Sequence, residues 1–63
     1  MVVKMTLKAA RINVGLTQKE AAAIFGISNK TLSSWESGAS SPRAEQVPKI
    51  CEVYKLSYDN LIF

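Results

Sequence analysis

The sequence predicts an all-α fold built from five short helical segments. Three observations carry that prediction. Apolar residues recur at helical spacing through most of the chain. Gly, Ser, Thr and Pro fall where helices start and stop. No alternating pattern long enough for a useful β-strand occurs, and no repeat or low-complexity stretch is visible. At 63 residues the chain predicts one domain, 1–63. A domain of this size buries roughly 60% of its unfolded surface, which leaves room for one packed layer and no deep cavity.

The first segment runs from about Lys4 to Asn13, with Leu7, Ala10 and Val14 facing the core and Gly15 as its left-handed exit. The second runs from Gln18 to Phe25. Thr17 and Glu20 form a capping box, in which the hydroxyl takes an orphan backbone N–H and the carboxylate reaches back. Three consecutive alanines, 21–23, favour helix, and Gly26 ends it. The third segment spans Asn29 to Ser37, capped by Ser28 and ended by Gly38. Leu32 and Trp35 form its apolar side; Asn29, Lys30, Ser33, Ser34 and Ser37 form a small, polar opposite face. A loop through Pro42 leads to a looser turn. A regular helix then starts near Gln46 or Val47, because Pro48 is tolerated only in a first turn. It carries Val47, Ile50, Cys51 and Tyr54 on one side. Ser57 caps a last short helix, Tyr58 to Ile62, whose Leu61 and Ile62 close the core.

Composition removes several classes. One cysteine, Cys51, allows no internal disulfide and no Cys-rich zinc site, and on its apolar face it reads as a small hydrophobe. A small domain without such staples suggests a reducing compartment. The longest apolar-or-glycine run, Ala21 to Ile27, is far short of a membrane span, and no secretory signal is visible. Histidine, the commonest general base, is absent, and the serines have no base beside them. We therefore expect no enzyme, no catalytic residue, no metal, no cofactor and no small-molecule substrate.

The charge is uneven. Residues 1–43 carry six basic groups against two acidic ones; residues 44–63 carry two basic against three acidic. A basic front and a near-neutral back suit a polyanion on one side, although the same surplus would serve solubility. The informative stretch is 18–37. Two short helices meet across Phe25-Gly26-Ile27-Ser28, where Gly26 accepts a positive φ and Ala22 permits close crossing. A helix fits the major groove and presents its N-terminal residues to base edges. Asn29 can pair with adenine and Lys30 with guanine; Ser34 lies one turn later, and Thr31 can serve base or phosphate. Gln18 sits where a positive helix end favours a phosphate.

At these residues the chain resembles the Cro/phage-repressor (XRE-type) helix-turn-helix family. The matching text is Gly15-Leu16-Thr17-Gln18-Lys19-Glu20-Ala21-Ala22, then Phe25-Gly26-Ile27-Ser28, then Thr31-Leu32-Ser33-Ser34-Trp35-Glu36-Ser37-Gly38, then Pro42. It continues through Ile50 and Leu56-Ser57 to Leu61, while Ala10 and Ala21 stand where the family usually has Leu. The resemblance implies a compact five-helix bundle, a lambda-repressor-like domain with its helix-turn-helix at helices 2 and 3. It implies sequence-specific double-stranded DNA binding by a transcriptional regulator, as a homodimer on a palindromic operator in the bacterial cytoplasm and nucleoid. By the same resemblance Asn29, Lys30, Thr31 and Ser34 read bases. Thr17, Gln18, Lys19, Ser28, Ser33, Ser41 and Arg43 meet the DNA backbone, with Lys8 a weaker candidate. Arg11 and Glu36 form a partly buried structural ion pair. The dimer surface falls to the loop after the third segment or the C-terminal end, near Tyr58 and Phe63. The alternative is a protein-interaction module or antitoxin that keeps the fold.

Overall fold

Four α-helices carry most of the chain in the computed structural model, which describes residues 4–62. They are α1 (Leu7–Asn13), α2 (Gln18–Phe25), α3 (Asn29–Ser37) and α4 (Val47–Tyr54). A 3-10 turn, Ala44–Gln46, leads into α4, and a second, Tyr58–Asn60, follows it. Strands β1 (Met5–Thr6) and β2 (Leu61–Ile62) pair in parallel, Met5 beside Leu61 and Thr6 beside Ile62.

The structure corrects the sequence reading at three points. The helical segments number four plus two short 3-10 turns, not five helices. The expected fifth helix, Tyr58 to Ile62, is one 3-10 turn that stops at Asn60, because Leu61 turns extended (φ −101°, ψ 140°) to pair with β1. The first helix starts at Leu7 rather than Lys4: Thr6 is extended, and its hydroxyl accepts from the Ala9 N–H at 3.2 Å, which caps the helix there. The same pairing leaves Ile62 exposed at 47% while Leu61 is buried, so Leu61 alone closes the core. Phe63 lies outside the described residues.

Local chemistry explains the central helices. The Thr17 hydroxyl accepts from the Glu20 N–H at 3.1 Å, and Glu20 Oε1 accepts from the Thr17 N–H at 2.9 Å. The Ser28 hydroxyl caps α3 by accepting from the Thr31 N–H at 3.0 Å. Gly26 holds φ +70° at the turn between them, a conformation disfavoured by roughly 1–2 kcal/mol for a residue with a Cβ. Ile27 N–H then donates to the Ala22 carbonyl at 3.0 Å and closes the junction.

Each helix contributes to one core. Leu7 and Ala10 come from α1, Ala21 and Ala22 from α2, Leu32 and Trp35 from α3, Ile50 and Tyr54 from α4. Burying Leu32 or Ile50 contributes about 1.5–3 kcal/mol. The Phe25 and Tyr54 rings meet edge-on at 5.5 Å, a favoured aromatic geometry. Ala22 is buried on α2, the helix that packs against α3.

Candidate nucleic-acid interface

The polar face of α3 follows from its core face. Leu32 and Trp35 point inward, so helical geometry turns Asn29, Lys30, Ser33 and Ser37 outward, and all four are exposed. Ser34 and Thr31 lie at the edge, half-buried. The Thr31 hydroxyl sits 2.9 Å from that of Ser28, so these two groups are already paired with one another. Ser34 carries the exit of α3: its carbonyl accepts from the Ser37 hydroxyl and from the Ala39 and Ser40 N–H groups.

At the start of α2, Thr17 and Lys19 are exposed and Gln18 is half-buried. The Thr17 backbone N–H, and behind it the Thr17 hydroxyl, hold the Glu20 carboxyl below its ordinary range. Capping therefore accounts for both groups. Beyond α3, Ser41 and Arg43 are exposed; Arg43 lies 3.9 Å from Glu45 with both side chains largely in solvent, a spacing worth little.

Beneath this surface lies a buried charge cluster. Arg11 Nε donates to Glu36 Oε2 at 2.8 Å and Nη2 to Oε1 at 3.4 Å; the two side chains are 10% and 6% exposed. Arg11 Nη1 donates to the Leu16 carbonyl at 2.9 Å. The pair ties α1 to α3. It also takes one of the six front cations out of the surface charge, leaving Lys4, Lys8, Lys19, Lys30 and Arg43 exposed.

Sequence reasoning missed one connection here. Gln18 Nε2 donates to Glu36 Oε1 at 3.2 Å, so a residue assigned to the DNA backbone is bonded to the internal ion pair. Lys8, Arg11, Gln18, Ser33, Glu36 and Ser37 line a cleft of about 370 Å³ at this point. The signal in the sequence was faint: Gln18 was legible as a helix-start residue, but its partner lies 18 positions away.

A second groove, about 610 Å³, lies elsewhere, between the loop after α3 and α4. Ser41, Pro42, Ala44, Val47, Pro48, Cys51 and Tyr58 line it. Ser41 thus opens onto this groove, unlike the residues around α3. A protruding helix that enters a groove of its partner needs no concavity of its own, so the α3 face remains the candidate interface. No group of three or more His, Cys, Asp or Glu able to hold a metal occurs among the described residues, and no helix there is long and apolar enough to cross a membrane.

A helix-turn-helix family model matches residues 7–61. The chain is 39% identical over 56 residues to "Antitoxin PezA" of Streptococcus pneumoniae serotype 4 (strain ATCC BAA-334 / TIGR4), an alignment covering 89% of this chain and 35% of that protein. It is also 39% identical over 56 residues to "HTH-type transcriptional regulator ImmR" of Bacillus subtilis (strain 168), covering 89% of this chain and 44% of that one. The chain thus spans less than half the length of either relative. No solved structure matches it significantly.

Proposed function

The chain belongs to the helix-turn-helix family, and from that premise we propose that it binds double-stranded DNA sequence-specifically as a transcriptional regulator. In this reading α3 lies in the major groove. Asn29 and Lys30, exposed in its first turn, meet base edges, with Ser34 and Thr31 at the margin of the same contact. Gln18, Thr17, Lys19, Ser28, Ser33, Ser41 and Arg43 contact phosphates on either side. The observation that carries the reading is the outward polar face of α3, flanked by exposed cations and joined to α2 by the Gly26 turn. The named regulator relative supports it.

A body with extents of 33 × 23 × 19 Å offers one domain too little contact for tight binding, so two copies act on a palindromic site, their centres one helical turn (about 34 Å) apart. The apolar groove beside Tyr58 is the surface on which they meet. The setting is the bacterial cytoplasm, on nucleoid DNA. A second reading, a protein-interaction module, draws on the named antitoxin relative.

Selection of duplexes from a random pool tests both readings. The DNA reading predicts an enriched palindrome whose binding falls with salt at a log–log slope of about −4 to −5 per domain, for about five phosphate contacts. No enrichment and a flat salt dependence would favour the interaction module.

A further inference from the structure

Glu36 points to a role beyond joining α1 to α3. Its carboxylate is almost fully buried, and its Oε1 accepts from two directions, Arg11 Nη2 at 3.4 Å and Gln18 Nε2 at 3.2 Å. A carboxylate oxygen accepts and cannot donate. The Gln18 amide can therefore face it in one sense only, nitrogen inward, since the reversed amide would set carbonyl oxygen against carboxylate oxygen. Arg11 in turn fixes the carboxylate, through its Nε at 2.8 Å and through the Leu16 carbonyl that holds the guanidinium. A side chain with several rotatable bonds at the first position of α2 is thus held in place and in orientation.

We propose that Glu36 is a positioning residue for DNA binding: it holds the Gln18 amide nitrogen-inward in the cleft between α1, α2 and α3, so that the remaining Gln18 N–H meets a phosphate oxygen of the duplex. This rests on the DNA-binding reading above. It adds a physical link between the helix that reads bases and the start of the helix that grips the backbone. Glu36 belongs to α3 and Gln18 to α2, so the bond fixes the phosphate contact in register with the base contacts. Holding the amide before the encounter lowers the ordering cost at binding, as any preorganised contact does.

The test must separate positioning from stability. Arg11→Met combined with Glu36→Leu removes both charges at once, leaves the net charge unchanged and strands neither partner in the interior. Affinity for the selected duplex is measured at one salt concentration for the parent, this double variant, Gln18→Ala, and all three changes together. Positioning predicts that the double variant weakens binding about fivefold when Gln18 is present, the worth of one hydrogen bond. It predicts almost no further loss in the Gln18→Ala background. Equal losses in both backgrounds would overturn the proposal while leaving DNA binding intact; failure to select any duplex would overturn the DNA reading itself. Should the double variant not fold, NMR relaxation of the Gln18 side-chain amide in the parent protein decides. An amide as ordered as the α2 backbone supports the proposal, and a freely averaging one refutes it.

Discussion

Glu36→Gln is the perturbation whose outcome the structure constrains most closely. The change keeps side-chain size and removes one charge. Arg11, whose side chain is 10% exposed, then keeps its bond to the Leu16 carbonyl and can reach a neutral amide oxygen, but it has no counter-charge. Breaking a buried pair from one side costs about 3–5 kcal/mol, because the remaining ion stays desolvated. The retained carbonyl and amide contacts place this variant at the lower end, about 3 kcal/mol. For a domain of this size each kcal/mol shifts Tm by about 4–8 °C, so the midpoint falls by about 12–24 °C. Far-UV circular dichroism follows the helices, and the fluorescence of buried Trp35 follows the core. The Arg11→Met, Glu36→Leu double variant is the control. With no stranded charge it stays within about 1 kcal/mol of the parent, the Leu16 carbonyl on its half-buried residue turning to water. A Glu36→Gln midpoint within about 3 °C of the parent would refute the burial argument, since that shift corresponds to less than 1 kcal/mol.

Other outcomes follow from the same structure. Lys30→Ala and Asn29→Ala each relax base preference at one position and lose about 1–3 kcal/mol of discrimination, read by competition between base-substituted duplexes. Arg43→Ala weakens all sequences about equally and makes the salt slope shallower by about one unit. Tyr54 is 1% exposed and its hydroxyl has no hydrogen-bond partner among the described residues, so Tyr54→Phe stabilises the fold by about 1–3 kcal/mol in urea unfolding. Burial, with Glu36 adding to it, pushes the Tyr54 pKa up to about 12 from 10.0. The protonated group thus contributes stability that is complete below pH 10 and is lost as pH rises towards 12, an alkaline loss that Tyr54→Phe removes. Lys55 ends α4 at φ +56°, so Lys55→Gly raises stability by about 0.5–1 kcal/mol, the relieved backbone strain less the extra freedom of the unfolded chain.

The parts of the fold that read correctly are those whose causes lie within four residues of one another. The ends of α2 and α3 are set by Thr17 with Glu20, by Ser28, and by Gly26 and Gly38, and all are visible as local punctuation. The turn before α4 was legible because Pro48 fixes where a regular helix can begin. What was not legible depends on distant partners. The missing fifth helix has such a cause, the pairing of β2 with β1 from opposite ends of the chain, and the same pairing includes Thr6, which caps the late start of α1. Ser57 has the identity of a cap, yet its hydroxyl donates to Asn60 Oδ1 instead. Lys55 in a left-handed conformation gives no signal, since lysine does not favour that exit.

The interface divides along the same line. The outward face of α3 could be deduced from Leu32 and Trp35 alone, because helical periodicity turns its neighbours to solvent. The bond from Gln18 to Glu36 could not, because it depends on how closely α2 and α3 pack.

Amide chemical shifts recorded while the selected duplex is added test the central claim most directly. The account predicts that shifts concentrate on residues 28–34 and on Gln18, with the groove between Pro42 and Tyr58 changing only as two copies come together. Perturbations that gather on that groove and leave Asn29 and Lys30 unmoved would contradict it.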